Sequence, residues 1–183
     1  MALHAPSPVL SHSYTHSAWQ GAQEVADVLV LATDFLSHLN AEEQRGKLAE
    51  EAATVGGKSQ AVQGVVQREM ERLAFRDEAK GLFEQYPVKS LRPDYYKALP
   101  GGTGILFEVE KGKTLRNNMD LLDLWKTHLC VEAHHLWLMV PQVSMNQAGG
   151  VRERPYQAVV KRLSTFFTAR TEVDVRSCVI FGY

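Results

Sequence analysis

Apolar residues recur at helical spacing from Ala18 to about Leu39, through Ala22, Val25, Ala26, Leu29, Ala32 and Leu36, which predicts an amphipathic helix. Asn40 then stands in N-cap position before Ala-Glu-Glu, with Glu43 three residues on, the capping-box pattern for a second helix running toward Ala53. The two are expected to pair as a helical hairpin. Thr54-Val55-Gly56-Gly57 breaks the pattern, and a third helix runs from Lys58 to about Phe75, with Val62, Val66 and Leu73 as its apolar stripe. The string Gly57-Lys58-Ser59 matches the end of a phosphate-binding loop, G-x-x-x-x-G-K-[ST], but Ala52 occupies the first glycine position and a helix precedes it where that motif needs a strand.

After Phe75 the period shortens. Leu82–Tyr86, Asp94–Leu99 and Ile105–Glu110 read as three strands of an antiparallel meander, the last two joined by the turn Pro100-Gly101-Gly102-Thr103-Gly104. Thr114 to about Val131 returns to helical spacing through Leu115, Met119, Leu122, Trp125 and Leu129. His135–Val140 is a continuous apolar run, which suits a strand covered on both faces. Residues 141–154 read as a loop, 155–169 as a helix begun by Pro155, and 174–181 as a last strand. The order is α-α-α-βββ-α-β-α-β. It predicts an α/β fold, a mixed central β-sheet flanked by helices, divided into an N-terminal helical extension over 1–57 and a core over 58–183.

Composition sets bounds without choosing a function. With 183 residues, 45% hydrophobic and 22% charged, the chain matches one ordinary globular core. Cys130 and Cys178 lack a CxxC partner, so neither a disulfide framework nor a cysteine-rich zinc site is expected, and a cytoplasmic location is the simplest reading. No apolar stretch reaches membrane-spanning length. Net charge is −1, which argues against nucleic-acid binding by bulk electrostatics. The first 60 residues hold seven acidic and three basic side chains, so the remainder carries a small positive excess.

The candidate chemistry sits on the third predicted strand. Strand alternation places Ile105, Phe107 and Val109 on one face and Leu106, Glu108 and Glu110 on the other, so two carboxylates project together. A lone E-x-E is ordinarily a solvated strand face. Asp94, just after Pro93 on the neighbouring strand, adds a third carboxylate through a hairpin of suitable length. Such a cluster is costly unless a cation offsets the repulsion, and hard oxygen ligands suit Mg²⁺. Glu69 falls on the apolar stripe of the third helix, where an inward carboxylate needs a partner. Lys89, Arg92, Lys97, Lys111, Lys113 and Arg116 flank the cluster as phosphate contacts, with Lys97, Lys113 and Arg116 taken as the nucleic-acid-binding set. His134 and His135 are adjacent on a strand, point to opposite faces and are not expected to share a metal. Trp19, Trp125 and Trp137 all lie in apolar patterns and are expected in the core.

Pro93-Asp94, then Glu108-Val109-Glu110, then an amphipathic helix and an apolar strand, resembles the PD-(D/E)xK nuclease core, α-βββ-α-β, over roughly residues 60–140. The resemblance implies a restriction-endonuclease-like protein that hydrolyses DNA with Mg²⁺ or Mn²⁺, Asp94 and Glu108 being metal ligands and Glu69 a further site residue. The usual lysine of the family is replaced by Glu110. Either Glu110 is itself a ligand or base, or Lys111 or Lys113 supplies the ammonium. Duplex cutting at a palindrome implies a homodimer. The rival readings are a catalytically inactive DNA-binding or interaction module on the same fold, and a helical assembly protein with a solvent-facing acidic strand.

Overall fold

The computed structural model describes residues 7–77, 81–87, 91–168 and 171–183. Its elements, in chain order, are β1 (Leu10–Thr15), α1 (Gln23–Leu39), α2 (Glu42–Ala53), α3 (Ser59–Arg72), β2 (Arg76–Asp77), β3 (Tyr95–Leu99), β4 (Thr103–Val109), α4 (Met119–Leu129), β5 (His135–Val140), β6 (Ser144–Met145), β7 (Val151–Glu153), α5 (Pro155–Leu163) and β8 (Ser177–Gly182). Six strands form one mixed sheet in the order β1-β8-β5-β4-β3-β2. β4, β5 and β8 run parallel at its centre, and β1, β3 and β2 are antiparallel to their neighbours.

Strand alternation builds two layers on this sheet. Ile105, Phe107 and Val109 of β4, Trp137 and Met139 of β5, and Val179 and Phe181 of β8 face α1, α2 and α3. Phe35 of α1 is fully buried there, its ring 5.0 Å from Phe181 and 5.6 Å from Trp137. The opposite positions, Leu136, Leu138 and Ile180, pack with Leu124 of α4 and with Val159 and Leu163 of α5. The apolar run at 135–140 is therefore a central strand, covered on both faces.

Residues on both sides of position 57 share the first layer, because Val28 and Phe35 pack in the same cluster as Val62 and Phe107, while β1 lies along β8. β1 carries no apolar alternation. Its neighbour is set by backbone pairing and by Tyr14, which stacks on Phe167 at 5.4 Å and donates a hydrogen bond to Val160 O at 2.8 Å.

Several local expectations give way to tertiary contacts. Asn40 does not cap α2: Ala41 holds that position with no side-chain bond, and Asn40 ends α1. Its amide instead clamps Val9, accepting from the Val9 N–H at 2.9 Å and donating to Val9 O at 3.0 Å, which secures the approach to β1. Residues 82–86 are turns, not a strand; Leu82 and Phe83 are buried against Tyr96 and Leu106 as anchors of that turn. The strand next to β3 is the short β2. The segment 141–154 contains the β6–β7 hairpin. Among the tryptophans only Trp137 is core: Trp125 is 58% exposed, and Trp19 is half-buried beneath the Arg176 guanidinium, 4.0 Å from its ring centroid.

Candidate active site

The β3–β4 hairpin turns through Gly101 and Gly102, both at positive φ, and its register pairs Tyr95 with Phe107. Asp94, one residue before β3, therefore comes beside Glu108. The two segments are cross-tied: the Asp94 N–H donates to Glu108 Oε2 at 3.3 Å, and the Val109 N–H donates to Asp94 Oδ2 at 2.8 Å. Glu110 lies one residue past β4, where its N–H donates to Met139 O at 2.8 Å and prolongs the pairing with β5. Asp94 and the Glu108/Glu110 strand are thus brought together.

The inner face of α4 completes the cluster, and it is not the face expected from the sequence. Leu122 and Trp125 point outward, while Asp120, Asp123 and Lys126 are buried at i, i+3 and i+6. The Lys126 ammonium donates to Glu108 Oε1 at 2.6 Å and to Asp123 Oδ1 at 3.2 Å, and Arg162 Nε of α5 sits 3.0 Å from Asp120 Oδ2. The regular Asp-x-x-Asp-x-x-Lys spacing was the available signal; it was masked by the stronger apolar stripe beside it.

One ammonium faces several carboxylates, too little positive charge to neutralise them. Burial, then Asp123, then Asp94 push the Glu108 carboxyl well above the usual range, against the pull of Lys126. Glu110 is pushed up to about 8, first by burial and then by Asp123 and Asp94. Asp123 rises to about 6, through burial, with Lys126 opposing. Lys126 itself is held charged: Glu108 and Asp123 outweigh the burial that would neutralise it.

The other predicted residues are distributed around this centre. Glu69 is buried on α3, on the opposite layer of the sheet, where Arg72 binds both its oxygens and His38 Nδ1 lies 3.4 Å away. Lys111 is half-buried, with its side chain covered and its ammonium paired with Glu51 at 3.2 Å. Lys97 donates to Leu73 O at 2.7 Å, beside the Phe75 ring. Lys113, Arg116 and Arg92 are exposed, with Arg116 3.3 Å from Glu153. Lys89 lies outside the described residues.

The donors gathered here are carboxylate oxygens, the ligand type that hard cations take. Their ionisation is suppressed first by burial and then by one another, and Asp123 Oδ2 is buried with no hydrogen-bond partner. Among the described residues no group of three or more His, Cys, Asp or Glu side chains is placed to hold a metal ion. Asp94, Glu108 and Glu110 thus do not form a three-carboxylate cage; a Mg²⁺ ion, which commonly takes one or two carboxylates and fills its other positions with water and phosphate, would need no more than Asp94 and Glu108.

No protein-family model and no curated protein sequence matches the chain. In three dimensions it is similar to the restriction endonuclease BglII, solved in complex with a DNA 16-mer, at a TM-score of 0.50 and 10% identity over 96% of this chain and 78% of that one. The fold is restriction-endonuclease-like: a mixed six-stranded sheet flanked by helices.

Proposed function

We propose that the protein is a metal-dependent deoxyribonuclease that hydrolyses DNA phosphodiester bonds, a restriction-endonuclease-like enzyme acting as a homodimer. The observation that carries this reading is the junction of Asp94 with Glu108 at the edge of β3 and β4, with an ammonium from α4 seated on the same glutamate. It lies on a sheet like that of a DNA endonuclease. Asp94 and Glu108 would hold Mg²⁺ or Mn²⁺. Such a cation, when bound, polarises a phosphodiester and acidifies a bound water. Glu110, one residue past β4 and beside these carboxylates, is the group placed to take a proton from water once the cation is bound. Lys126, kept charged and oriented by Asp123, offers from the helix the ammonium that the PD-(D/E)xK resemblance leads one to seek on the strand.

Plasmid nicking in Mg²⁺ or Mn²⁺ tests the assignment. Asp94→Asn and Glu108→Gln should each abolish cleavage under conditions where the variant is still folded by circular dichroism, Glu108→Gln with lowered stability because Lys126 loses a partner, and Glu110→Ala should cost on the order of a hundredfold. Either ligand variant cutting as fast as the parent would falsify the site. A second reading, an inactive DNA-binding module, draws on the engagement of both Glu108 oxygens within the protein. It is favoured if the parent cuts neither single- nor double-stranded DNA and Glu110→Lys creates activity.

A further inference from the structure

A cavity of about 430 Å³ lies beyond Glu110, between the α2–α3 turn, the segment 111–117 and the β6–β7 hairpin. Its volume falls within the range of small-molecule sites. Among the described residues four cations line it, Lys111, Lys113, Arg116 and Arg152, and no acidic side chain does. The acids nearest these cations are Glu51, 3.2 Å from Lys111, and Glu153, 3.3 Å from both Arg116 and Arg152, so the wall keeps an excess of positive charge. The rest of the lining includes the apolar side chains Val55, Pro141, Val143 and Met145.

Gly57 explains how the most buried of the cations is seated. Its φ is not in the left-handed region, yet a Cβ there would meet the Lys111 side chain, 2.8 Å from Cε and closer still to the ammonium. The side chain of Lys111 is only 5% exposed, and the absence of a side chain at 57 leaves it room. The Gly-Lys-Ser string is not a phosphate loop, since α2 precedes it, but its glycine shapes this cationic wall.

We propose that this cavity is a nucleotide pocket, in which the cations receive a phosphate ester and the apolar side chains the sugar and base. Strong charge-assisted bonds to phosphate suit the former, and apolar side chains suit a base face. The ligand is a nucleotide of the bound strand or a free nucleoside monophosphate. The choice of nucleic acid as its source rests on the nuclease reading, but the test does not require cleavage.

Full-length protein in EDTA is titrated with deoxyadenosine 5′-monophosphate, deoxyadenosine, inorganic phosphate and a short labelled DNA strand. The nucleotide should bind more tightly than nucleoside or phosphate. Arg152→Ala should weaken it about tenfold or more, as expected for loss of a charged hydrogen bond. Gly57→Ala, which moves the Lys111 ammonium without removing it, should weaken it similarly, with unchanged circular dichroism. Competition by the DNA strand assigns the pocket to a strand nucleotide, whereas simultaneous binding assigns it to the free one. Equal affinity for phosphate and nucleotide, or nucleotide binding unaffected by both variants, overturns the proposal. Cleavage without nucleotide affinity overturns it and spares the nuclease reading; affinity without cleavage does the reverse.

Discussion

Lys126 illustrates how one side chain ties the site to stability. It is buried between Glu108 and Asp123, and the cost of burying it is offset only while both partners face it. Lys126→Met leaves two buried carboxylates without a counter-charge, and a loss of about 3–5 kcal/mol is expected in denaturant unfolding at neutral pH. Adding Glu108→Gln to that variant should recover part of the loss, since the double change removes a charge along with its partner. A single-variant loss below about 1 kcal/mol would show that the pair is not buried as described. A second buried network is centred on His135, whose Nδ1 lies 2.8 Å from Ser177 Oγ and whose Nε2 lies 2.5 Å from Glu24 Oε1. Burial lowers the His135 pKa from 6.5, with Arg176 and His134 adding to the effect and Glu24 opposing it. The Glu24 carboxylate stays ionised because His135 and Arg176 outweigh its burial. Below pH 6.5 the unfolded chain therefore binds more protons at this histidine than the folded one. Its stabilisation is present above 6.5 and is lost as pH falls toward the lower folded value. The raised carboxylates act in the opposite sense, losing stability as pH rises through their folded values, so a comparison is needed. His135→Gln should flatten the stability slope below pH 6.5 relative to the parent. Parallel pH–stability curves for the two proteins would remove this histidine as a contributor.

At the scale of elements, α3 shows how a helix end directs the chain into the sheet. The Phe75 N–H donates to Met70 O at 2.8 Å and the Ala74 N–H to Glu71 O at 3.0 Å, a Schellman ending. It turns Phe75 into the core and delivers Arg76 to β2. The position that must be left-handed is Ala74, at φ 58°, where glycine is usual. Ala74→Gly should stabilise the protein by up to about 1 kcal/mol, relief of left-handed strain exceeding the entropy cost of glycine. An unchanged or lowered denaturation midpoint would mean that the strain is absorbed elsewhere. α4 shows the converse, an element whose orientation is chosen by polar contacts. Glu108 and Arg162 receive its charged residues, and Trp125 is turned to solvent.

At the scale of the molecule, the N-terminal third is part of the structure that holds the site. Phe35 fills the space between Phe107, Trp137 and Phe181, and β1 covers the outer edge of β8. Residues 58–183 expressed alone should lack a cooperative thermal transition and expose apolar surface to a hydrophobic dye, because three central strands would lose the part of their cover that α1 and α2 supply on one face. A sharp melt within a few degrees of the full chain would establish 58–183 as an independent domain.

Local periodicity was enough to place what depends on neighbours in the chain. The i, i+2 rule put Glu108 and Glu110 on the face away from Phe107, the short glycine turn brought Asp94 to that strand, and the apolar run at 135–140 declared a doubly covered strand. What it could not place depends on partners far away. β1 is polar in sequence and becomes a strand because β8, more than 160 residues later, offers it an edge. Asn40 resembles a cap and instead binds Val9, 31 residues earlier. Nothing in the apolar stripe of α4 marks Asp123 and Lys126 as buried; their burial is made tolerable by their own pairing and by Glu108 on the opposing strand. A local pattern reports which residues avoid water, whereas the satisfaction of a buried charge is a property of two elements that meet only in the folded chain.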